Sequence, residues 1–149
     1  MDALLSAAEV ETIIREGLPE AADMGLRITE VGGGFATIRI PYSPRMLRPG
    51  DRVSGPTLFA AIDTAMYAAV LAHIGNQPMA VTSDMTLHFL RACAARDIIA
   101  RAEVIKLGRR LAVLSVTVGA DGDPPAVHAT GSYALPPHCL LYTSPSPRD

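Results

Sequence analysis

A single acidic residue, Asp63, is the residue of this sequence best suited to chemistry. Residues 53–83 carry no other formal charge. A carboxylate among apolar residues is costly unless it is paired or used, so Asp63 is a candidate general base. It could instead lie at the edge of a crevice and be satisfied by neighbours such as Thr64 or Tyr67. The absence of a nearby Lys or Arg in the sequence favours the functional interpretation.

The second candidate is the tripeptide Ser54-Gly55-Pro56, which stands at the start of the predicted helix that carries Asp63. The first backbone N–H groups of a helix lack intrahelical partners and form a positive pole, which suits a developing oxyanion. Gly55 would let a substrate carbonyl approach closely. Taken alone, the tripeptide is better explained as an ordinary N-cap.

Gly55 and Asp63 are too far apart to act on one substrate carbonyl within one chain. They are eight residues apart, which is about 12 Å along a helix that rises roughly 1.5 Å per residue. Groups that attack and stabilise a reacting centre must lie within roughly 3–3.5 Å of it. If both act on one substrate, they belong to different subunits whose helices lie side by side and antiparallel. We therefore predict a homodimer.

The helix that positions these residues is predicted to be apolar on all sides. Residues 56–72 are almost wholly apolar or small. Ser54 or Gly55 can cap this helix, Pro56 suits its first turn, and Gly75 can end it. A membrane span needs roughly 20 apolar residues without a central charge, whereas this run is shorter and has Asp63 in its middle. We therefore expect a helix buried in the core of its own protein.

Alternating apolar and polar residues predict two strands before this helix and four after it. The predicted strands span residues 25–31, 35–40, 81–89, 98–105, 111–118 and 127–133. Unbroken alternation places Thr82 and Asp84 on one face of the third strand, and Met85 on the other face with Val81 and Ser83. Gly32-Gly33-Gly34 is interpreted as a tight turn, since a strand follows it and not the helix that a phosphate-binding loop requires.

The remaining elements are a short helix over residues 3–16, followed by Gly17, and a loop over residues 41–52. Strands grouped together with short turns imply an antiparallel sheet with the long helix on one face. We predict one α+β domain over residues 1–138, in which a curled antiparallel six-stranded sheet wraps around one long buried helix. Ile99 and Ile105 fall at outward positions, and a second subunit would cover such apolar side chains.

Basic residues cluster around two turns of the predicted sheet. They are Arg91 and Arg96 at the first turn, and Lys106, Arg109 and Arg110 at the second. Solvated turns are the usual explanation, but these side chains could also hold the phosphates of a nucleotide-tailed substrate. Other chemical signals are weak: the sequence has no G-x-S-x-G nucleophile elbow, and its histidines have no metal-ligand spacing.

The composition excludes several classes of function. The 149 residues have a net charge of −2 and are 49% hydrophobic, so no basic excess supports nucleic-acid binding, and a sizeable core is expected. Cys93 and Cys139 are too few for a disulfide framework or a zinc site. The N-terminus resembles neither a signal peptide nor a transit peptide. We expect a cytoplasmic protein without a membrane partner.

The last eleven residues differ in character from the rest. Residues 139–149, CLLYTSPSPRD, follow Pro136-Pro137 and replace an apolar periodic pattern by Ser and Pro. They resemble a translated sequencing-library adapter. We expect a non-native, disordered tail that takes no part in the fold.

Four segments together resemble the hotdog-fold acyl-CoA thioesterases of the PaaI type, in the 4-hydroxybenzoyl-CoA thioesterase superfamily. They are VSGPTLFAAIDTAMYAAVLA, AVTSDMTLHFLR, RDIIARAEVIKLGRRLAVLSVTV and AVHATGSYALP, and the resemblance covers nearly all of residues 20–136. In that family a His-Gly-Gly starts the helix and an Asp follows nine residues after the His. Here Ser54 takes the place of the His and Asp63 follows nine residues later. Gly55 matches the first glycine, and Pro56 replaces the second.

The resemblance implies hydrolysis of a medium-chain or aromatic acyl-CoA thioester. Asp63 would activate water or attack the carbonyl itself, and the Gly55 N–H from the partner subunit would hold the thioester oxygen. Thr82 matches a family Ser or Thr that orients the attacking water. Arg48 falls near the place of a family Asn, and Ser54 stands within the catalytic motif.

The resemblance also implies where the substrate binds. The acyl chain would lie between the long helix and its partner, and the CoA phosphates would meet basic side chains at a subunit edge. The predicted substrate contacts are Arg48, Pro56, Phe59, Met66, Tyr67, Arg91, Lys106, Arg109 and Arg110. No metal or redox cofactor is implied, because coenzyme A arrives as part of the substrate. The family usually forms homotetramers from such homodimers.

Two other functions stay open. A non-hydrolytic acyl-CoA-binding protein of the same fold would keep the pocket and lack the reaction, which the replacements at Ser54 and Arg48 could explain. A hydratase or dehydratase of this fold would need a His paired with an acid in the site. That function ranks last, because residues 53–72 contain no His.

Overall fold

A computed structural model describes residues 1–137 of the chain. Its helices are α1 (Ala7–Gly17), α2 (Pro19–Asp23) and α3 (Gly55–Ile74), and a 3₁₀ turn spans Pro44–Met46. Its strands are β1 (Arg27–Gly32), β2 (Phe35–Ile40), β3 (Leu47–Arg48), β4 (Arg52–Val53), β5 (Val81–Phe89), β6 (Ile98–Leu107), β7 (Leu111–Ala120) and β8 (Val127–Ala134). The predicted tail of residues 139–149 lies outside the described residues.

Six strands form one sheet in the order β1-β2-β6-β7-β8-β5, with every neighbouring pair antiparallel. Helix α3 packs across one face of this sheet and contacts all six strands. Strands β3 and β4 form a separate two-stranded ladder inside the segment predicted as a loop. The predicted α+β architecture, a six-stranded antiparallel sheet with one long helix, is confirmed.

Helix α3 begins and ends at the residues that the sequence indicates. Ser54 is its N-cap and accepts a hydrogen bond from the Thr57 N–H, Pro56 lies in the first turn, and Gly75 ends the helix with a φ of +88°. By length and composition alone, with a mean hydropathy of 1.5, this helix could cross a membrane. However, 61% of that span is buried inside the chain, as expected of a core helix.

The N-terminal helix is shorter than predicted and is followed by an additional one. It begins at Ala7 because Ser6 and Glu9 form a capping box, in which each side chain accepts a hydrogen bond from the backbone N–H of the other residue. The preceding backbone instead lies against the end of α3, where the N–H groups of Leu4 and Leu5 donate to the Ala72 carbonyl. The additional helix, α2, starts with a proline, which suits a first helical position.

Strand β5 departs from the alternation predicted for it. Its pairing with β8 shifts register between Thr82 and Asp84, so Ser83 forms a bulge. Thr82 therefore turns toward α3, whereas Asp84 turns to the opposite face and accepts a hydrogen bond from Ser132. The prediction that Thr82 and Asp84 share a face is wrong, because a two-residue period assumes an unbroken ladder.

His73 joins the end of α3 to the glycine turn between β1 and β2. Its side chain is 5% exposed. Nδ1 lies 2.7 Å from the Ala69 carbonyl, and Nε2 accepts a hydrogen bond from the Gly34 N–H at 2.8 Å. Nε2 also lies 3.1 Å from the Gly32 carbonyl, so the ring contacts backbone groups of both the helix and the glycine turn. The residue is structural.

Arg39 on β2 links the sheet to two neighbouring turns. Its guanidinium lies 2.8 Å from a carboxylate oxygen of both Asp97 and Asp121. The backbone N–H of Tyr42 also donates to Asp97, at 2.7 Å. This N–H, followed by the Arg39 guanidinium, holds the pKa of the Asp97 carboxyl below its usual range.

Candidate active site

Asp63 lies midway along α3, half-buried, with its carboxylate in a surface crevice. Thr82 Oγ1 donates to Asp63 Oδ1 at 2.6 Å, and Tyr133 Oη donates to the same oxygen at 3.2 Å. Thr64, a partner suggested by the sequence, donates instead to the Ala60 carbonyl. Among residues 1–137, no hydrogen bond is found to Asp63 Oδ2. One carboxylate oxygen is therefore held, and the other is open.

The two hydroxyl donors come from adjacent strands of the sheet. Thr82 on β5 stands directly opposite Tyr133 on β8 in the ladder. The bulge at Ser83 turns Thr82 toward the helix, so both side chains lie on the sheet face that α3 covers. The orientation of the Asp63 carboxylate thus depends on two side chains that lie 19 and 70 residues away from it in sequence.

Two tyrosine rings form one wall of the Asp63 crevice. Tyr67 lies one turn after Asp63 on α3 and stacks on Tyr133, with ring centroids 6.1 Å apart and an interplanar angle of 16°. Burial raises the pKa of both phenols, so Tyr133 remains a donor at neutral pH. The crevice has a volume of about 350 Å³, and Leu18 and Val81 also line it.

Gly55 lies at the N-terminus of α3 and lines a different crevice, of about 410 Å³. A Cβ placed on Gly55 would lie 3.9 Å from the Phe89 ring. Three arginines, Arg48, Arg52 and Arg91, line the same crevice. A helix N-terminus beside guanidinium groups suits an oxyanion or a phosphate.

Ser54 acts as the N-cap that the simpler interpretation predicts. Its hydroxyl accepts a hydrogen bond from the Thr57 N–H at 3.3 Å and lies 2.9 Å from Thr57 Oγ1. The side chain is thereby engaged with the first turn of α3. It fixes the direction of the helix start, including the Gly55 N–H.

The Asp63 and Gly55 crevices share no lining residue. Within one chain, the structure therefore does not bring the two candidate groups together. This separation agrees with the helix-length argument, which requires a second subunit for any site that uses both.

The remaining side chains predicted to contact the substrate differ in their exposure and in their distance from the two crevices. Phe59 is 49% exposed, and Pro56 is also exposed. Met66 is fully buried against Gly131 and belongs to the core of the described chain. The basic side chains at the β6–β7 turn are exposed and line neither the Asp63 crevice nor the Gly55 crevice; they are Lys106, Arg109 and Arg110.

Sequence reasoning missed Tyr133 and Arg52. Tyr133 was recognisable only as one member of an alternating strand, since nothing local indicates that β8 pairs with β5. Arg52 belongs to the arginine-rich segment that contains Arg48, and this shared composition was the available signal.

Other reactive side chains do not join the site. Within residues 1–137, no group of three or more His, Cys, Asp or Glu side chains is placed to hold a metal ion. Cys93 is buried, and burial raises the pKa of its thiol. A raised pKa disfavours the reactive thiolate.

Comparisons with known proteins find matches to both the sequence and the fold of this chain. The family model described as Thioesterase superfamily matches residues 50–126, a range that includes Gly55, Asp63 and Thr82. The chain is similar to a provisionally assigned thioesterase of Silicibacter sp. TM1040, with 34% identity, coverage of 92% of this chain and 96% of that chain, and a TM-score of 0.84.

Two further solved structures share less of the sequence. The E. coli PaaI protein from the phenylacetic acid degradation operon is 24% identical, with 87% and 93% of the two chains covered and a TM-score of 0.77. A Haemophilus influenzae thioesterase is 16% identical, with 96% and 98% covered and a TM-score of 0.80. At such identities both support the fold alone. A search of curated proteins found no match. The predicted hotdog fold is confirmed.

Proposed function

This chain belongs to the thioesterase superfamily, and from this premise we propose that it hydrolyses the thioester of an acyl-CoA. The observation that carries the proposal is the Asp63 carboxylate, which two hydroxyl groups hold by one oxygen in a surface crevice. A carboxylate with one oxygen free can act as a general base or as a nucleophile.

Asp63 has two chemical routes to the same products. As a general base, Oδ2 takes a proton from a water molecule while the water attacks the thioester carbon. As a nucleophile, Oδ2 attacks that carbon itself and forms an anhydride, which water then cleaves. In both routes the carbon–sulfur bond breaks, and coenzyme A leaves as a thiolate that takes up a proton.

Thr82 supports either route. Its hydroxyl proton is directed at Asp63, so the hydroxyl lone pairs remain to accept a hydrogen bond from the attacking water. We propose that Thr82 orients both the carboxylate and that water.

The oxyanion donor is the Gly55 N–H of a second subunit. Strand β5 is an edge strand of the sheet, with Thr82 and the Asp63 crevice at its start and Phe89 and the Gly55 crevice at its end. Antiparallel pairing of two identical edge strands about a twofold axis places the start of one strand beside the end of the other. Such a dimer would set one subunit's Asp63 near the other subunit's Gly55.

Exposed apolar side chains along this edge support the same dimer. Val81 is 55% exposed and Phe89 is 58% exposed, and Met79 and Leu90, which flank β5 in sequence, are also exposed. An unpaired edge strand with exposed apolar side chains favours pairing with another chain. We propose a homodimer as the functional unit and a homotetramer assembled from it.

The substrate would extend between the two crevices. Arg48, Arg52 and Arg91 would meet the CoA phosphates, since guanidinium groups bind phosphate in a bidentate manner. The acyl group, medium-chain or aromatic, would lie beside Phe59 and Tyr67. We place this reaction in the cytoplasm.

Ser54 favours a second candidate, a non-hydrolytic acyl-CoA-binding protein. The family has a His at this position, whereas the Ser54 hydroxyl is engaged in capping α3. A chain without that imidazole could keep the binding crevices and lack turnover. We prefer hydrolysis because the Asp63 carboxylate is held by the hydroxyl groups of Thr82 and Tyr133.

The two candidates are separated by measuring free-thiol release from a panel of acyl-CoAs with the wild-type protein and Asp63→Asn. Hydrolysis predicts release by the wild type and a loss of at least about 100-fold in kcat for Asp63→Asn. Full activity of Asp63→Asn would refute the mechanism. Tight binding of acyl-CoA without turnover at any chain length would favour the binding protein.

Asp84→Asn is the matched control. Asp84 also accepts a hydrogen bond from a hydroxyl group on β8, that of Ser132, but it lies on the opposite face of β5. The same charge change there should leave thiol release near the wild-type rate.

A further inference from the structure

We infer that Tyr133 is a positioning residue, whose hydroxyl selects the carboxylate oxygen of Asp63 that faces the substrate. The inference rests on the proposed function. It concerns a residue on β8 that lies outside residues 50–126, the range that the thioesterase family model matches.

The geometry shows two donors that converge on one oxygen. Thr82 Oγ1 lies 2.6 Å and Tyr133 Oη lies 3.2 Å from Asp63 Oδ1. The single proton of the Tyr133 hydroxyl is shared between this oxygen and the Asp63 backbone carbonyl, which is 3.4 Å from Tyr133 Oη. A carboxylate with a single donor can rotate and exchange its oxygens. With two donors on Oδ1, rotation would break two hydrogen bonds, so Oδ2 stays directed away from the sheet.

Tyr133 is itself rigidly held. Its side chain is 3% exposed, its ring stacks on Tyr67, and its backbone pairs opposite Thr82 in the ladder. Tyr67 and Asp63 are four residues apart on α3 and therefore lie on the same face of the helix. One face of α3 thus contacts Tyr133 through both the ring and the hydroxyl.

The groups around Asp63 leave Tyr133 as a permanent donor. The other titratable groups that line the crevice are Tyr67 and Tyr133, and within residues 1–137 no Lys, Arg or His lines it. Burial raises the pKa of Tyr133, so its hydroxyl stays protonated throughout the working range of an enzyme.

The test compares Tyr133→Phe with the wild type and with Tyr42→Phe. Tyr133→Phe keeps the stacked ring and removes only the hydroxyl group. We expect kcat to fall about 10-fold while KM changes less than about 2-fold, because the carboxylate is misdirected in the transition state and substrate binding is unaltered.

Tyr42→Phe removes a phenol outside both crevices and should match the wild type. A Tyr133→Phe variant with wild-type kcat would overturn the inference. A loss confined to KM would also overturn it, because that result indicates a binding role. Thermal unfolding of each variant checks that the fold is intact.

Crystal structures of the wild type and Tyr133→Phe keep the inference testable without activity. If the wild type releases no thiol, or Asp63→Asn is fully active, the proposed function is wrong. The two crystal structures then test the positioning role of Tyr133 by themselves. A second orientation of the Asp63 carboxylate in Tyr133→Phe supports positioning, and an unchanged carboxylate refutes it.

Discussion

Mixed dimers of two inactive variants should recover activity if Asp63 and Gly55 act across a subunit interface. Asp63→Asn removes the base, and Gly55→Pro removes the oxyanion N–H. Position 55 is the first position of α3, where proline removes no intrahelical hydrogen bond, and Ser54 already has the extended backbone, φ −72° and ψ 153°, that precedes proline. Because position 55 also precedes Pro56, the thermal unfolding of Gly55→Pro is compared with that of the wild type to establish that the variant folds.

The expected activity of the mixed dimer follows from its twofold symmetry. Loss of one oxyanion donor costs about 100-fold or more in kcat, so the Gly55→Pro homodimer should be nearly inactive. In a mixed dimer, one site combines the intact Asp63 of one chain with the intact Gly55 of the other, and the second site carries both defects. The mixed dimer should therefore have about half of the wild-type activity, and a random equimolar mixture about a quarter.

The assay uses two purification tags, one on each variant. Co-expression and sequential affinity purification isolate the mixed dimer, and its free-thiol release is compared with that of both homodimers. Gly55→Ala is the control for the added side chain. It keeps the N–H, and its Cβ would lie in ordinary contact with Phe89 at 3.9 Å, so it should lose far less activity than Gly55→Pro.

A mixed dimer that stays at the level of the homodimers would refute the shared site. If Asp63 and Gly55 acted within one chain, each chain of the mixed dimer would carry one defect, and no site would be intact. A monomeric wild-type protein in light scattering at micromolar concentration would also contradict the reasoning.

Three further predictions concern stability. Ser54→Ala should lower the free energy of unfolding in urea by about 1 kcal/mol, because the N-cap of α3 is lost; an unchanged value would contradict the capping role. His73→Phe keeps a buried ring but leaves a backbone N–H of the glycine turn without its acceptor, at a cost of about 1–3 kcal/mol in the same assay; wild-type stability would show that this hydrogen bond contributes nothing. The Tyr42 N–H and Arg39 hold the pKa of Asp97 below its usual range, so Asp97 stabilises the fold above its unfolded pKa of about 3.9 and this contribution is lost as pH falls through the folded pKa. Asp97→Asn should therefore flatten the fall of the thermal midpoint between about pH 5 and pH 2, and an unaltered slope would contradict this assignment.

The candidate site shows where prediction from sequence succeeds and where it stops. Asp63 and Gly55 were found because a lone charge and a helix start are visible in the chain itself, whereas Thr82 was found through the resemblance to the thioesterase family. Tyr133 was not found, because its role depends on the pairing of β8 with β5. Ser54 was expected from the sequence as a possible cap of α3, and the structure shows its hydroxyl accepting a hydrogen bond from the Thr57 N–H.

The sequence by itself determined the local features of this protein. Apolar periodicity and end signals such as Ser54, Pro56 and Gly75 placed α3 at its observed residues, because helix capping and turn formation act over a few residues. Alternating apolar residues located the six strands of the main sheet, whereas β3 and β4 were not predicted. An apolar helix between strands required a sheet to bury it.

Tertiary structure alone decided which of these features meet. The bulge at Ser83 places Thr82 on the sheet face that α3 covers, opposite to the face of Asp84, since one inserted residue inverts the alternation of side chains along a strand. The hydrogen bond between Tyr133 and Asp63 joins residues 70 positions apart, and such a contact depends on sheet order and register. These are properties of the whole packed chain, which no local pattern contains.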